Sequence, residues 1–317
     1  MVYDVTGSGA LNLDLIYEVE SLECLRCEGF NLAPGREISG TPDDLARLEK
    51  SLASCGRQVS VSGGGSAANT VCVLAALGRK TAFAGYVGDD EYGERIMESM
   101  PDVGLDMVIR QGTSSVCVVV TEEKGRDRAM FVASGSCQGD FSEIRLIPEE
   151  HRCLHISSLA VENGPMLHKN LVEQLAMDTI LSFDPGEIYA SMGRERLGFL
   201  LDRADILFIT EEELDMLAVR PDATHPDFFS DALLVKKMGA RGASCVKDGR
   251  VLMQPAMDVK DIVDNTGAGD AFNAGFMDAF LDDRPLAQCL EQGVRIAALS
   301  LSGYGRHWIN DLQQIEM

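Results

Sequence analysis

The sequence of 317 residues predicts an α/β fold with a parallel central sheet and helices on both faces. Two observations carry this. From His155 onward, apolar runs of strand length alternate with stretches of helical spacing, and repeated β–α units bury their strands in a parallel sheet covered on both sides. Near the end, Asp264-Asn-Thr-Gly-Ala-Gly-Asp270 leads into an apolar run, Phe272 to Leu281, in which Phe272, Phe276, Ala279 and Phe280 share one helical face. A hydrophobic content of 45% supplies a core of this size, and a charged content of 25% is ordinary.

From the start of the chain, Val2 to Leu15 reads as a strand interrupted by Gly7-Ser8-Gly9, and Asn12 and Asp14, two apart, face one way on it. Pro34, Gly35, Gly40 and Pro42 mark turns. Asp43 to Ser54 is a helix with Thr41 as its cap and Leu45, Leu48 and Leu52 on one face. Val59-Ser-Val-Ser precedes Gly63-Gly64-Gly65, and Ala67 to Leu77 is an apolar helix closed by Gly78. Lys80 to Val87 is a strand and Tyr92 to Met100 a short helix. Val116–Thr121 and Ala129–Ala133 form a hairpin around a charged turn, Glu122 to Arg128. The alternating half follows, with strands at Leu154–Ser157, Thr179–Phe183, Ile206–Ile209 and Ala232–Val235, and helices at Pro165–Ala176, Met192–Leu201 and Glu211–Leu217. Strand-like Ala243–Val246 and Val251–Gln254 precede the glycine turn, and Leu286 to Leu301 is a last helix. Ligands of such sheets bind at the carboxyl ends of the strands, so Asp184, Thr210, Lys237 and Asp264 should gather on one rim.

The net charge of −22 excludes classes of partner. Nucleic-acid phosphates are met by Lys and Arg, and anionic membranes attract basic segments, so neither partner is expected. No apolar run reaches the length of a membrane span, and Met1 to Asp14 lacks a basic start followed by an apolar core, so no signal peptide is expected. The nine cysteines are scattered. Cys72, Cys117 and Cys245 sit in apolar runs as core thiols, while Cys24 and Cys27 make a single CxxC without a second pair or matching histidines. A cytoplasmic protein fits this cysteine usage.

The chemistry concentrates at the glycine turns. Gly267-Ala268-Gly269 opens a helix, whose first N–H groups lack internal partners and whose dipole is positive, so this end suits an anion such as phosphate. Asp270, in the first turn, is either a helix-start acid or a general base beside a phosphate cradle. Gly63-x-Gly65-x-x-Ala68 meets a relaxed dinucleotide pattern, yet it lacks the βαβ setting at the chain start, and the acids Asp89 and Asp90 come late and after a glycine. The other reading is a turn that lets a ligand approach the backbone, with Asn69 offering donor and acceptor. Asp14 is a turn residue or a ligand contact, and Glu213, amid Glu211, Glu212 and Asp215, is a solvated helix face or a site acid. His155 and His168 read as structural, since nothing pairs them with a nucleophile. No GxxxxGK[ST] occurs, which excludes a Walker-type site.

Gly63-Gly-Gly-Ser-Ala-Ala-Asn69, Gly85-Tyr-Val-Gly-Asp-Asp-Glu-Tyr-Gly93 and Asp264-Asn-Thr-Gly-Ala-Gly-Asp270 together resemble, in order and spacing, the motifs of the ribokinase (PfkB) family over nearly the whole chain. The resemblance implies a single ribokinase-like domain, 1–317, with a small β-sheet lid from segments near 15–60 and 112–135. It implies an ATP- and Mg²⁺-dependent kinase acting on a hydroxymethyl group. Asp270 matches the family's catalytic base, and Gly267, Ala268 and Gly269 its anion hole. Asn12, Asp14, Gly64, Gly65 and Asn69 fall at the acceptor's hydroxyls. Asp264 and Thr266, with the loop near Ser302 to Gly305, match a monovalent-cation site, K⁺ being the expected ion. Glu213 keeps the acid of an Asn-x-x-Glu motif tied to magnesium, held indirectly, while Thr210 replaces the Asn. Lys237 stands where a Thr usually precedes the nucleotide loop, here Met238-Gly239-Ala-Arg-Gly242.

The acceptor is expected to be a neutral sugar. Neither Asp14 nor the Gly63–Asn69 turn supplies a cation for a phosphorylated acceptor, and the carboxylate and amide suit vicinal hydroxyls. A nucleoside is the alternative, but a base wants an apolar, preferably aromatic, wall, and the hairpin offers Phe131 alone, with Tyr17 and Phe30 from the other lid segment. A non-catalytic sugar- or nucleotide-binding regulator and a nucleotide-dependent dehydrogenase are readings of other classes. Alternating apolar residues on an exposed lid need cover, so pairing of two lids into a homodimer is expected.

Overall fold

The computed structural model describes the chain apart from residues 1, 27–28, 34–36, 123–127, 148–149, 218–231, 248, 261 and 316–317. The chain opens with β1 (Val5–Ser8) and β2 (Asn12–Val19), then the short α1 (Glu23–Arg26), β3 (Glu37–Gly40), α2 (Pro42–Cys55) and β4 (Gly56–Gly64). Next come α3 (Ser66–Ala76), β5 (Thr81–Val87), α4 (Glu91–Glu98), β6 (Val103–Arg110) and the strands β7 (Ser115–Glu122) and β8 (Arg128–Ala133). The alternating half is β9 (Cys153–Ser157), α5 (Gly164–Val172), β10 (Ile180–Asp184), α6 (Gly186–Ala190), α7 (Arg194–Arg203), β11 (Ile206–Thr210), α8 (Glu211–Leu217) and β12 (Leu233–Lys237). It ends with β13 (Ala243–Lys247), β14 (Arg250–Gln254), α9 (Ala268–Leu281), α10 (Leu286–Ser300) and α11 (Ile309–Ile315).

Nine strands form the large sheet, in the order β14-β13-β12-β11-β10-β9-β1-β5-β6. From β12 to β6 neighbouring strands run parallel, whereas β13 and β14 turn back antiparallel, so the sheet is mixed at one edge rather than wholly parallel. The inner strands are buried on both faces, as βαβ crossovers require. On β11, Ile206 and Phe208 face the cluster that contains α3, α9 and α10, while Leu207 and Ile209 face the cluster that contains α5 and α7. The α9 run is apolar almost all round because it is enclosed; Phe276 meets Phe208 edge-on at 5.4 Å.

The stretch read as one interrupted strand is two strands in different sheets: β1 belongs to the large sheet and β2 to a second sheet of five strands, ordered β3-β8-β7-β2-β4. The hairpin forms as expected, with Val118 opposite Phe131 in antiparallel register, though its turn, 123–127, lies outside the described residues. The Pro34-Gly35 turn and Cys27 lie outside them too; Cys24 touches Cys55 of α2. The edge strand β6 was not expected. The Gly85–Gly93 motif braces the root of the hairpin: Asp90 caps α4 through the Gly93 N–H at 2.8 Å and accepts from the Ser114 N–H at 2.8 Å.

One face of the small sheet carries Leu13, Leu15, Val118 and Phe131, all buried with Leu45, Leu48 and Leu52 of α2. That helix begins with a capping box, in which Thr41 Oγ1 accepts from the Asp44 N–H and the Asp44 carboxylate accepts from the Thr41 N–H. This face of the small sheet is therefore covered within the chain by α2. Among the described residues, no helix is long and apolar enough to cross a membrane.

Leu48 is fully buried at this contact. Leu48→Ala should lower unfolding free energy by about 3 kcal/mol in urea titrations, and a loss below about 1 kcal/mol would show that α2 does not seal the sheet.

Candidate active site

The first turn of α9 is the centre of the site. Its N-cap, Gly267, takes the left-handed conformation (φ 77°) and no side chain caps the turn; the Ala268 N–H bonds back to the Asn265 carbonyl at 3.3 Å, which leaves the Gly269 and Asp270 N–H groups to face an anion. Asp270 lies in that turn, 8% exposed. Its Oδ2 accepts a hydrogen bond from Asn69 Nδ2 at 2.8 Å. Burial pushes its pKa up to about 6, with the Asn69 bond opposing, Asp184 adding to the rise and the Lys237 charge opposing it. A buried carboxylate tuned toward neutrality suits a general base.

On one side, Asp270 opens into a cavity of about 410 Å³ lined by Asn12, Asp14, Gly65, Asn69, Thr266 and the Gly267–Gly269 turn. Asn12 and Asp14 share a face of β2, as their spacing predicts, and Asn12 Nδ2 donates to Asp14 Oδ1. β4 runs antiparallel to β2 and brings Gly64 opposite Asn12; a Cβ there would run into both carboxylate oxygens of Asp14. Burial raises Asp14 to about 7, opposed by the Arg306 charge, while Asp264 and Asp270 push it further up. The far wall is aliphatic: Met130, Val132, Val161 and Ile188. Phe131 is 2% exposed, Phe30 4% and Tyr17 9%, and all three belong to the core that includes α2. Their expected place against the acceptor is thus corrected by strand parity, because Phe131 points away from the face shared by Met130 and Val132.

On the other side, Ser66, Gly269 and Asp270 also line a cavity of about 480 Å³ with Asp184, Thr210, Glu213, Lys237 and Gly239. A third cavity, about 730 Å³ and mostly apolar, continues past Gly239, Gly242, Ala256, Val259, Phe272 and Val294. Lys237 Nζ lies 2.5 Å from Asp184 Oδ2, and Asn273 donates to the same oxygen at 2.6 Å. Burial works against the lysine's charge, but Asp184 and Glu213 outweigh it and hold the ammonium protonated. Lys237 also stands 3.5 Å from where a Cβ on Gly269 would lie, so a cation waits beside the anion-binding turn. Thr210 and Glu213 bond reciprocally across the start of α8, N–H to Oε2 at 2.8 Å and N–H to Oγ1 at 3.2 Å. This ties the Glu213 carboxylate into the cavity instead of leaving it on a solvated face; burial raises its pKa, as does Asp184. No group of three or more His, Cys, Asp or Glu among the described residues is placed to chelate a metal. The donor set fits Mg²⁺ carried mainly by nucleotide phosphates, with Glu213 and Asp184 behind it.

Asp184, Thr210 and Lys237 meet as expected, but Asp264 does not join them. It lies behind the α9 turn, where its carboxylate accepts from the Thr266 N–H at 2.9 Å and the Gly305 N–H at 3.2 Å. The Thr266 hydroxyl is buried with no hydrogen-bond partner. A carboxylate, an orphaned hydroxyl and a turn of backbone around them fit a large monovalent cation. His155 and His168 are structural: their Nδ1 atoms pair with Ser182 Oγ and the Tyr189 hydroxyl at 2.9 Å each, and burial pushes them down to about 4 and about 3. Arg306, in the last loop, was not anticipated, yet it borders Asp14 and Asn69.

Comparison with known proteins bears on the family and the fold. The profile of the pfkB family carbohydrate kinases matches residues 37–307. An uncharacterized sugar kinase of Archaeoglobus fulgidus is 31% identical over 243 residues, covering 73% of this chain and 95% of its own length. An ATP-dependent ribose-1-phosphate kinase of Halopiger xanaduensis is 29% identical over 252 residues, 77% of this chain and 82% of its own. The solved structure of adenosine kinase from Sinorhizobium meliloti superposes with a TM-score of 0.82 at 20% identity, covering 100% of this chain and 99% of that one. The chain belongs to the pfkB family of carbohydrate kinases, phosphotransferases that act on hydroxyl groups.

Proposed function

We propose that this kinase transfers the γ-phosphate of ATP to a hydroxymethyl group of a neutral sugar, within a single unit, 1–317, whose small sheet acts as a lid over the acceptor through segments near 15–60 and 112–135. One observation carries the reading: Gly269 lines all three cavities, and Asp270 lines the two that meet at the anion-binding turn. Donor and acceptor placed on either side would bring their reacting atoms together there.

Asp14 and Asn69 hold the acceptor's hydroxyls. Asp270 takes the proton of the hydroxymethyl group as its oxygen bonds to the γ-phosphorus and the bond to the ADP oxygen breaks. The α9 N–H groups and Lys237 meet the charge on the transferred group. Glu213 and Asp184 would hold a Mg²⁺ brought in with the nucleotide, and that ion would supply charge neutralisation at the phosphates. A monovalent cation at Asp264 and Thr266 would order the turn that carries Gly267.

The pocket chemistry favours an uncharged acceptor. Among the described residues no basic side chain lines the acceptor cavity; Arg306 borders only a small neighbouring pocket beside Asp14 and Asn69, and its N–H groups are engaged by Asn69, Ser99 and Gly64. A phosphorylated acceptor would therefore meet Asp14 without a free cation. A nucleoside remains the second reading, favoured by the aliphatic wall of Met130, Val132, Val161 and Ile188 and by the likeness to an adenosine kinase structure. A non-catalytic regulator is disfavoured by the tuned Asp270.

Asp270→Asn keeps shape but removes the base, and should cut kcat by on the order of 100-fold or more with the fold intact. In the native enzyme, kcat/KM should fall as pH drops through about 6, because protonated Asp270 cannot accept the proton. Wild-type turnover in the variant, or a flat profile from pH 5 to 8, would remove Asp270 as base. Asp14→Ala should raise acceptor KM on the order of 10- to 100-fold while ATP KM holds, and an unchanged acceptor KM would displace Asp14 from the pocket. Potassium chloride should support faster turnover than choline chloride at equal ionic strength; equal rates would remove the cation from Asp264.

A further inference from the structure

Asn69 stands between two groups of opposite hydrogen-bonding character. Arg306 Nε donates to Asn69 Oδ1 at 2.8 Å, and Asn69 Nδ2 donates to Asp270 Oδ2 at 2.8 Å. A guanidinium has only donors and an ionised carboxylate only acceptors, so the amide has one orientation that satisfies both. Turned over, it would set NH₂ against guanidinium and carbonyl against carboxylate.

The arginine is itself fixed. Its Nη1 donates to Ser99 Oγ at 3.1 Å, and its backbone N–H to Ser62 Oγ at 3.2 Å. Gly63 leaves the space for it: a Cβ at that position would stand 2.9 Å from Nη1 and collide with Ser99 Oγ. Thus β4, the end of α4 and the last loop together lock one guanidinium, and the lock passes through Asn69 to the carboxylate on α9.

We propose that Arg306 is a positioning residue of the phosphoryl-transfer site: by fixing the Asn69 amide it occupies one Asp270 oxygen and leaves the other directed at the acceptor hydroxyl. This rests on the kinase reading above. Asp14 also feels the Arg306 charge; Asp184 and Lys237 act on Asp270 from the donor side, and Ser66, on the rim shared by both cavities, hydrogen-bonds to its carboxylate, so the arginine reaches the base through Asn69 while Lys237 reaches it directly. A base held off line by even an ångström loses much of its effect.

The test compares Arg306→Lys, Asn69→Ala and the double variant, with thermal melts to confirm folding. Arg306→Lys should lower kcat about 10- to 100-fold with ATP KM unchanged, and Asn69→Ala should add less than about 3-fold on top of it. Effects of the two that multiply, or an Arg306→Lys kcat within about 2-fold of wild type, would overturn the proposal. Side-chain amide NMR of Asn69 needs no turnover: exchange-protected protons are expected in the native protein, and exchange as fast as that of exposed amides would overturn it even if the lysine variant fails to fold. A protected amide in a protein that phosphorylates no sugar or nucleoside would instead sink the kinase reading and leave the orientation of Asn69 standing.

Discussion

The site depends on holding buried carboxylates around one helix end with very few cations. Asp14, Asp184 and Asp270 are all at least nine-tenths buried. Lys237 neutralises Asp184 directly, and Arg306 faces Asp14 while reaching Asp270 through an amide. An unpaired charge is costly to bury, so each acid is partnered or pushed toward its neutral form. The helix end adds a partial positive charge that a bound phosphate shares with the acid beside it. The uneven distribution sets the roles: the paired Asp184 stays ionised below the donor cavity, and the less compensated Asp270 is shifted toward neutrality, where proton acceptance is useful.

The two sheets serve this arrangement differently. The inner strands of the large sheet are buried on both faces, and β10, β11 and β12 are placed so that Asp184, Thr210 and Lys237 end on one rim. The small sheet has one face sealed by α2 and turns the other, with Asn12, Asp14, Cys117, Met130 and Val132, toward the acceptor. The chain passes from one sheet to the other within a few residues after β1, and it is closely packed there: a Cβ on Gly7, inside β1, would meet Val71 of α3 at 2.8 Å, and one on Gly9 would collide with Ser157 Oγ.

Local chemistry was legible in the sequence, and long-range geometry much less so. The α2 cap, the α9 turn and the alternating half announce themselves within windows of a dozen residues, through capping, glycine and periodicity. The β6 strand did not, since it lies at a sheet edge with most of Gly104–Arg110 half-buried or exposed and no clean alternation. The split of β1 from β2 is invisible to a reading that sees one extended run. Phe131 was placed on the wrong face because parity is fixed only by pairing: Asp14 opposes Cys117, Cys117 opposes Val132, and its neighbour must point the other way. Arg306 lies 237 residues from Asn69, and a lone arginine in a loop carries no signal of what it touches. Glu213 was recognised as more than a charged helix face only through the family motif, since its neighbours mask it.

The aliphatic wall belongs to β8, the loop after β9 and α6, whereas the base, the anion-binding turn and Lys237 belong to α9 and β12. The wall residues are thus free to change size or polarity without disturbing the machinery that moves the phosphoryl group. On the proposed reading, such a separation would let acceptor preference shift through substitutions at 130, 132, 161 or 188 while the phosphoryl-transfer end stays as it is.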